Sequence, residues 1–269
     1  MRTIFKRIFA LSRLILVDGL RRNALLGLVL LALGIEVSGL FFFAFVPRDI
    51  GRVTTDFVVI TGWCAGMLFL FFHAVQVMGW GEDRRVIHTL LAHPISRTEY
   101  VIGVFIGLLF LLLLLNVLLS LTGYGVLVLI KSWVGKAYFA RLGGAEYVLS
   151  WCGVLSIEAM ALSAIVLISG LIRGSFTVLL VTLSYYLICN GLPVAIEFFK
   201  GDSQLIRKLL IGLTMIFPNF SRFDYKGLIV AAGKWPPAST LSLNLAYVIL
   251  YCALVLTFAA GIYNRRDLK

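Results

Sequence analysis

Six stretches of this 269-residue chain are each long and apolar enough to cross a bilayer, and nothing else in it restricts the fold so strongly. A spanning helix needs about 20 largely apolar residues. The runs that qualify are 24–46, 57–79, 101–130, 147–172, 176–199 and 241–263. The expected fold is therefore all-α integral membrane, a single domain over 1–269 with six transmembrane helices. The third run is 30 residues long, so it must tilt, kink at Gly123 or Gly125, or protrude.

Composition agrees. Hydrophobic residues make up 61% and charged residues 14%, against roughly 45–50% and about 25% in a soluble domain. The net charge of +11 raises nucleic acid as a partner. But the basic residues punctuate apolar runs instead of forming one stripe, which is the pattern of membrane-flanking charge, and no nucleic acid is expected. Cys64, Cys152, Cys189 and Cys252 all fall inside apolar runs, without zinc spacing. His88 and His93 are five apart, off one helix face, so no metal site is expected. The basic N-terminus lacks an uninterrupted apolar core and a small-residue cleavage site, and does not read as a secretory signal.

Six spans put both ends on one side. Arg84, Arg85, Arg97, Arg173, Arg265, Arg266, Lys269 and the basic residues before 24 then share that side. Most of the opposing Lys and Arg lie in the long stretch 200–234, which weighs less in orientation. Both termini are predicted cytoplasmic, in a cell inner (cytoplasmic) membrane. Before the first span, Ile4, Ile8, Leu11 and Ile15 recur at helical spacing, with Arg2, Lys6 and Arg13 on another face. This pattern predicts an amphipathic helix lying in the inner interface. Between the last two spans, 205–217 is apolar but too short to cross and is closed by Pro218. It predicts an interfacial or re-entrant helix on the outer face.

The loop between spans two and three carries a polar island, "LLAHPISRTEY". Pro94 ends a short helix over 82–91. Ser96, Arg97, Thr98 and Glu99 have capping-box spacing and start the next one. Glu82, Asp83, Arg84 and Arg85 give the short helix a charged beginning suited to a soluble partner.

The stretch "GEDRRVIHTLLAHPISRTEYVIG" resembles the same loop of type-2 ABC transporter permeases, in which an acidic residue, Thr, leucines and Pro-x-Ser-Arg precede the third span. Here these fall on Glu82, Thr89, Leu90, Leu91, Pro94, Ser96, Arg97 and Gly103. His88 and Val104 stand where that family often has Gly and Lys. "NRRDL" over 264–268 resembles the family's ending, and the six spans, amphipathic N-terminal helix and outer helices agree. The resemblance implies a permease subunit, an exporter in the first instance, driven by a separate ATPase in two copies that bind ATP and Mg. It implies a second permease copy, as homodimer or related heterodimer. It makes 82–91 a cytoplasmic coupling helix, with Glu82, Asp83, Arg84, Arg85, Thr89, Leu90, Leu91, Pro94, Ser96 and Arg97 as the ATPase-coupling residues and residues 2–22 as a second contact.

The chain itself is expected to hold no cofactor and no catalytic group. "GLIVAAGKW" over 227–235 imitates a phosphate loop but has five residues between its glycines, and Trp235 stands where Ser or Thr would hold magnesium. Four polar candidates stand out within the spans. Glu36 and Glu158 are costly there, at about 2.5–3.5 kcal/mol for an acid at the bilayer centre. They read either as part of a substrate path or dimer interface, or as partners of polar groups on neighbouring spans. Asn116 and Asn190 read as interhelical hydrogen-bonding residues or weaker path candidates. One alternative to transport is a mechanotransmitter, whose ATPase-driven motion works on a periplasmic partner through 200–237.

Overall fold

A computed structural model describes residues 2–21, 24–43, 50–83, 96–135, 142–199, 204–214, 216–230 and 235–265. These residues are helical and turn structure, without strands. The helices are α1 (Arg2–Arg21), α2 (Ala24–Phe43), α3 (Ile50–Leu68), α4 (Val75–Asp83), α5 (Arg97–Val134), α6 (Gly144–Leu171), α7 (Ser175–Phe198), α8 (Gln204–Leu213) and α9 (Ala238–Arg265). A π-helical segment, Phe69–Ala74, joins α3 to α4. Among the described residues, five helices are long and apolar enough to cross a membrane, Ile50–Gly79, Arg97–Trp133, Gly144–Leu171, Ser175–Phe198 and Ala238–Arg265, and the expected first span at 24–46 is not one of them.

Each apolar run thus falls on a helix, and all but α2, which lies within 24–46, extend beyond their run at one or both ends. The run read from 57 begins at Ile50, because Thr54 and Thr55 turn their hydroxyls onto the carbonyls of Ile50 and Gly51 (2.7 and 2.8 Å) and remain compatible with a helix. At 38 residues, α5 is about 57 Å long at 1.5 Å per residue, well beyond a hydrocarbon core of about 30 Å. It runs helically through Gly123 and Gly125. Its start is written locally. Ser96 Oγ accepts from the Glu99 amide (3.2 Å), and Glu99 Oε2 accepts from the Ser96 amide (2.9 Å). Between α6 and α7 the chain reverses in three residues, with Gly174 at φ +92°, a conformation that favours glycine.

α5 and α6 form the centre. α5 packs against α1, α2, α3, α6 and α9, and α6 also touches α3, α7 and α9. The two central helices are antiparallel: Tyr147 Oη donates to Ser120 O (2.8 Å), and further along Asn116 Nδ2 donates to Glu158 Oε2 (2.6 Å). α9 runs parallel to α6, with Cys252 against Ala159 and Tyr263 against Ser169. Arg7, Arg97 and Tyr263 therefore share one end of the bundle, here the Arg97 end. The other is the Gly144 end.

The N-terminal helix forms as the periodicity predicts, and it packs along α5. Arg7–Glu99, Leu11–Gly103, Ile15–Gly107 and Gly19–Leu111 are successive neighbours, each step one turn along both helices. α1 is held lengthwise and parallel along the first part of α5, while Phe5, Phe9 and Leu14 on its other side stay exposed. The reason is a glycine notch. A Cβ at Gly103 would come within 2.7 Å of Leu11 Cδ2, and one at Gly107 within 3.0 Å of the Ser12 carbonyl oxygen. Leu11 and Ile15 fill that notch and are buried, while Ile4, expected on the same face, is exposed.

At the Gly144 end, α8 occupies the predicted outer segment and packs on α7. Two 3₁₀ turns follow, Phe220–Phe223 and Lys226–Leu228, seated on α6 with Phe220, Phe223 and Ile229 buried. Gly143 N donates to Ile229 O (3.3 Å), and Trp235 Nε1 to Glu146 (3.0 Å), tying this segment to the start of α6.

Candidate functional site

Three places gather chemistry-bearing residues, and the first is the Arg97 end. Ser96 caps α5, which fixes where Arg97 begins the helix and directs it to the last turn of α9. Arg97 Nη1 donates to the carbonyls of Tyr263 (3.0 Å) and Asn264 (3.1 Å), groups at a helix C-terminus that have no intrahelical partner. Asn264 Nδ2 returns a bond to Thr98 Oγ1 (3.3 Å). The Tyr263 ring lies 6.4 Å from that of Tyr100, and its hydroxyl bonds Ser169 Oγ at 3.2 Å. Glu99, besides closing the cap, faces Arg7 of α1 at 3.9 Å. Three helices and the end of a fourth are thereby fastened around one short stretch, residues 96–100.

Of the residues expected to contact an ATPase, Ser96 and Arg97 thus have partners inside the chain. Glu82 and Asp83 are the last two residues of α4. Arg84, Arg85, Thr89, Leu90, Leu91 and Pro94 lie outside the described residues, as does most of the coupling helix. Arg7, Thr98, Tyr263 and Asn264 were not singled out from the sequence as site residues. The only signal for the last was its place at the head of "NRRDL".

The second place is in the middle of the bundle. Asn116 on α5 and Glu158 on α6 are bonded to each other, and Asn116 gives its other amide hydrogen to Leu112 O (3.0 Å). Glu158 is fully buried, with its carboxylate against Gly66 of α3, where a Cβ would overlap it. Glu158 Oε1 and Asn116 Oδ1 have no hydrogen-bond partner among the described residues. Glu36 lies apart from this pair, fully buried on α2. Gly123 is bordered by Glu36 Oε1, the Tyr147 hydroxyl and Val58. Neither oxygen of Glu36 has a hydrogen-bond partner among the described residues. The four polar candidates are therefore not one site: two are paired, Glu36 is separate, and Asn190 is elsewhere.

The third place is a cavity of about 180 Å³ toward the Gly144 end, between α3, α6, α7 and the 3₁₀ segment. Asn190 lines it, with one amide hydrogen given to Tyr186 O (2.9 Å). No group of three or more His, Cys, Asp or Glu able to hold a metal occurs among the described residues. No protein-family model matches this sequence, and no curated protein matches it. The functional reading rests on the residues themselves.

Proposed function

We propose that this chain is the membrane-spanning subunit of a type-2 ABC transporter, an exporter in the inner membrane, powered by ATP and Mg held on a separate ATPase subunit. In this reading six helices cross: α2, the helix from α3 through α4, then α5, α6, α7 and α9. The Arg97 end is cytoplasmic, and two such chains work with two ATPases. The observation that carries the proposal is the fork from Arg97 to Tyr263 and Asn264. The two sequence stretches that resemble the family, 81–103 and 264–268, are far apart in the chain, and this contact brings them together. An ATPase pushing on residues 82–95 would act on the capped start of α5, and through it on α1 and α9. Helices joined in that way move as rigid units.

One observation favours a second reading, force transmission to an outer-face partner. α6 is bonded at one end to Tyr263 through Ser169, and at the other to the outer segment through Gly143 and Glu146. Movement at the Arg97 end would reach the outer surface through a single helix. The test is ATP hydrolysis by the chain purified with its ATPase subunit, in nanodiscs. Glu82→Ala with Arg85→Ala is expected to lower stimulation of the ATPase while the chain remains folded. Robust hydrolysis by the chain alone, free of contaminating ATPase, would overturn the reading. Stimulation by candidate cargo supports transport, and stimulation by an outer-face protein supports transmission.

A further inference from the structure

We propose that the cavity at the Gly144 end is a binding site for a small planar aromatic molecule bearing a hydroxyl group. The site goes beyond the permease reading and does not depend on it. Three spans and the outer segment each contribute one wall. Trp63 comes from α3, Val154 from α6, Asn190 from α7, and Phe220 and Phe223 from the 3₁₀ turn. Phe220 and Phe223 are only 2% and 3% exposed, so these walls are fixed by packing and need no ligand to form. Trp63 is held against the ring of Tyr186, with centroids 6.0 Å apart, and Tyr186 against Phe220 at 6.2 Å.

Size and chemistry select the ligand. A volume of about 180 Å³ compares with the roughly 150 Å³ apolar cavity that holds benzene. The aromatic walls favour a flat ring, stacked or edge-on. Asn190 gives a hydrogen to Tyr186 O and its amide also engages the Tyr186 hydroxyl, which leaves its carbonyl oxygen to accept from a ligand. A phenolic hydroxyl fits that remaining capacity. At the rim Asp224 and Lys226 are occupied with each other at 3.2 Å, so neither is offered as a counter-ion, and a neutral ligand is selected over a charged one.

The experiment uses the full chain in detergent, labelled with 5-fluorotryptophan, with the Trp63 fluorine resonance identified by Trp63→Phe. Phenol and toluene, nearly equal in shape, are titrated. The expected result is a saturable shift of the Trp63 resonance, with phenol binding about fivefold more tightly than toluene, the worth of one hydrogen bond. Asn190→Leu should bring the two affinities together. Val154→Phe, or Ile60→Phe at the rim should the first fail to fold, should abolish saturation for both. A shift that never saturates, or that survives both blocking variants, means partition into the micelle and overturns the site. An unchanged phenol preference in Asn190→Leu overturns the hydroxyl selectivity.

Discussion

Removing the Arg97 side chain should loosen the end of α9 selectively. Arg97 Nη1 holds two carbonyls, one partly buried at Tyr263 and one exposed at Asn264. A hydrogen bond from a charged donor contributes about 1.5–3 kcal/mol, and an exposed one falls to the lower end of the ordinary range, about 0.5 kcal/mol. Taking about 1.5 kcal/mol for the Tyr263 bond, the pair comes to about 2 kcal/mol of local stability. At 1.4 kcal/mol per tenfold, Arg97→Ala should raise opening of the last turn of α9 roughly 25-fold. Hydrogen exchange followed by mass spectrometry in nanodiscs measures this directly. Peptides covering 258–265 should exchange faster by about that factor, while those from the middle of α6 should not change. Arg97→Lys should recover only part of the protection, because an ammonium lacks the guanidinium's planar fork. Parent-like exchange at 258–265 in Arg97→Ala would refute the clamp, as would uniform acceleration across the bundle.

Three other outcomes follow from the packing. Gly107→Leu places a side chain where the Ser12 carbonyl oxygen lies only 3.0 Å from a first carbon, so α1 should detach from α5. Limited proteolysis should then cut within 2–21 while α5 to α9 stay resistant. Glu158→Ala leaves the buried Asn116 amide without its acceptor, costing about 1–3 kcal/mol in denaturant unfolding, whereas Glu158→Gln should cost less because an acceptor oxygen remains. With the four native cysteines replaced, a cysteine at position 268 should resist membrane-impermeant reagents in intact cells. Labelling from outside would overturn the proposed orientation.

What the sequence made legible was chemistry that acts locally. The apolar runs located the long helices because length and hydropathy are properties of one segment. The cap at Ser96 was readable for the same reason, since both partners lie within one turn. The helix start at Ile50 was hidden because Arg52, Thr54, Thr55 and Asp56 lower the hydropathy, although the threonines bond their own helix. The π-helical turn at Phe69–Ala74 has no compositional mark. Pairings between distant residues were not legible. Glu158 needed some polar partner, but only the packing of α5 on α6 selects Asn116. Arg97 looked like a surface contact because the carbonyls it bonds belong to backbone 166 and 167 residues away, which side-chain identity does not advertise. α1 was amphipathic as read, yet two glycines on α5 decide which of its apolar residues, Leu11 and Ile15, pack against protein, while Phe5, Phe9 and Leu14 stay exposed.

The most direct test of the proposed function is a cross-link from the loop that an ATPase would push. In a chain with the native cysteines replaced, Leu90→Cys is labelled with a short photoactivated cross-linker in membranes containing the co-purifying ATPase subunit. The adducts are then mapped by mass spectrometry. The proposal predicts an adduct on the ATPase surface, lost when Glu82→Ala and Arg85→Ala are combined. An adduct absent at Leu90→Cys but present from a cysteine introduced within 2–21 would move the docking site to α1. No adduct from either place, in membranes where the ATPase is bound and active, would contradict the proposal.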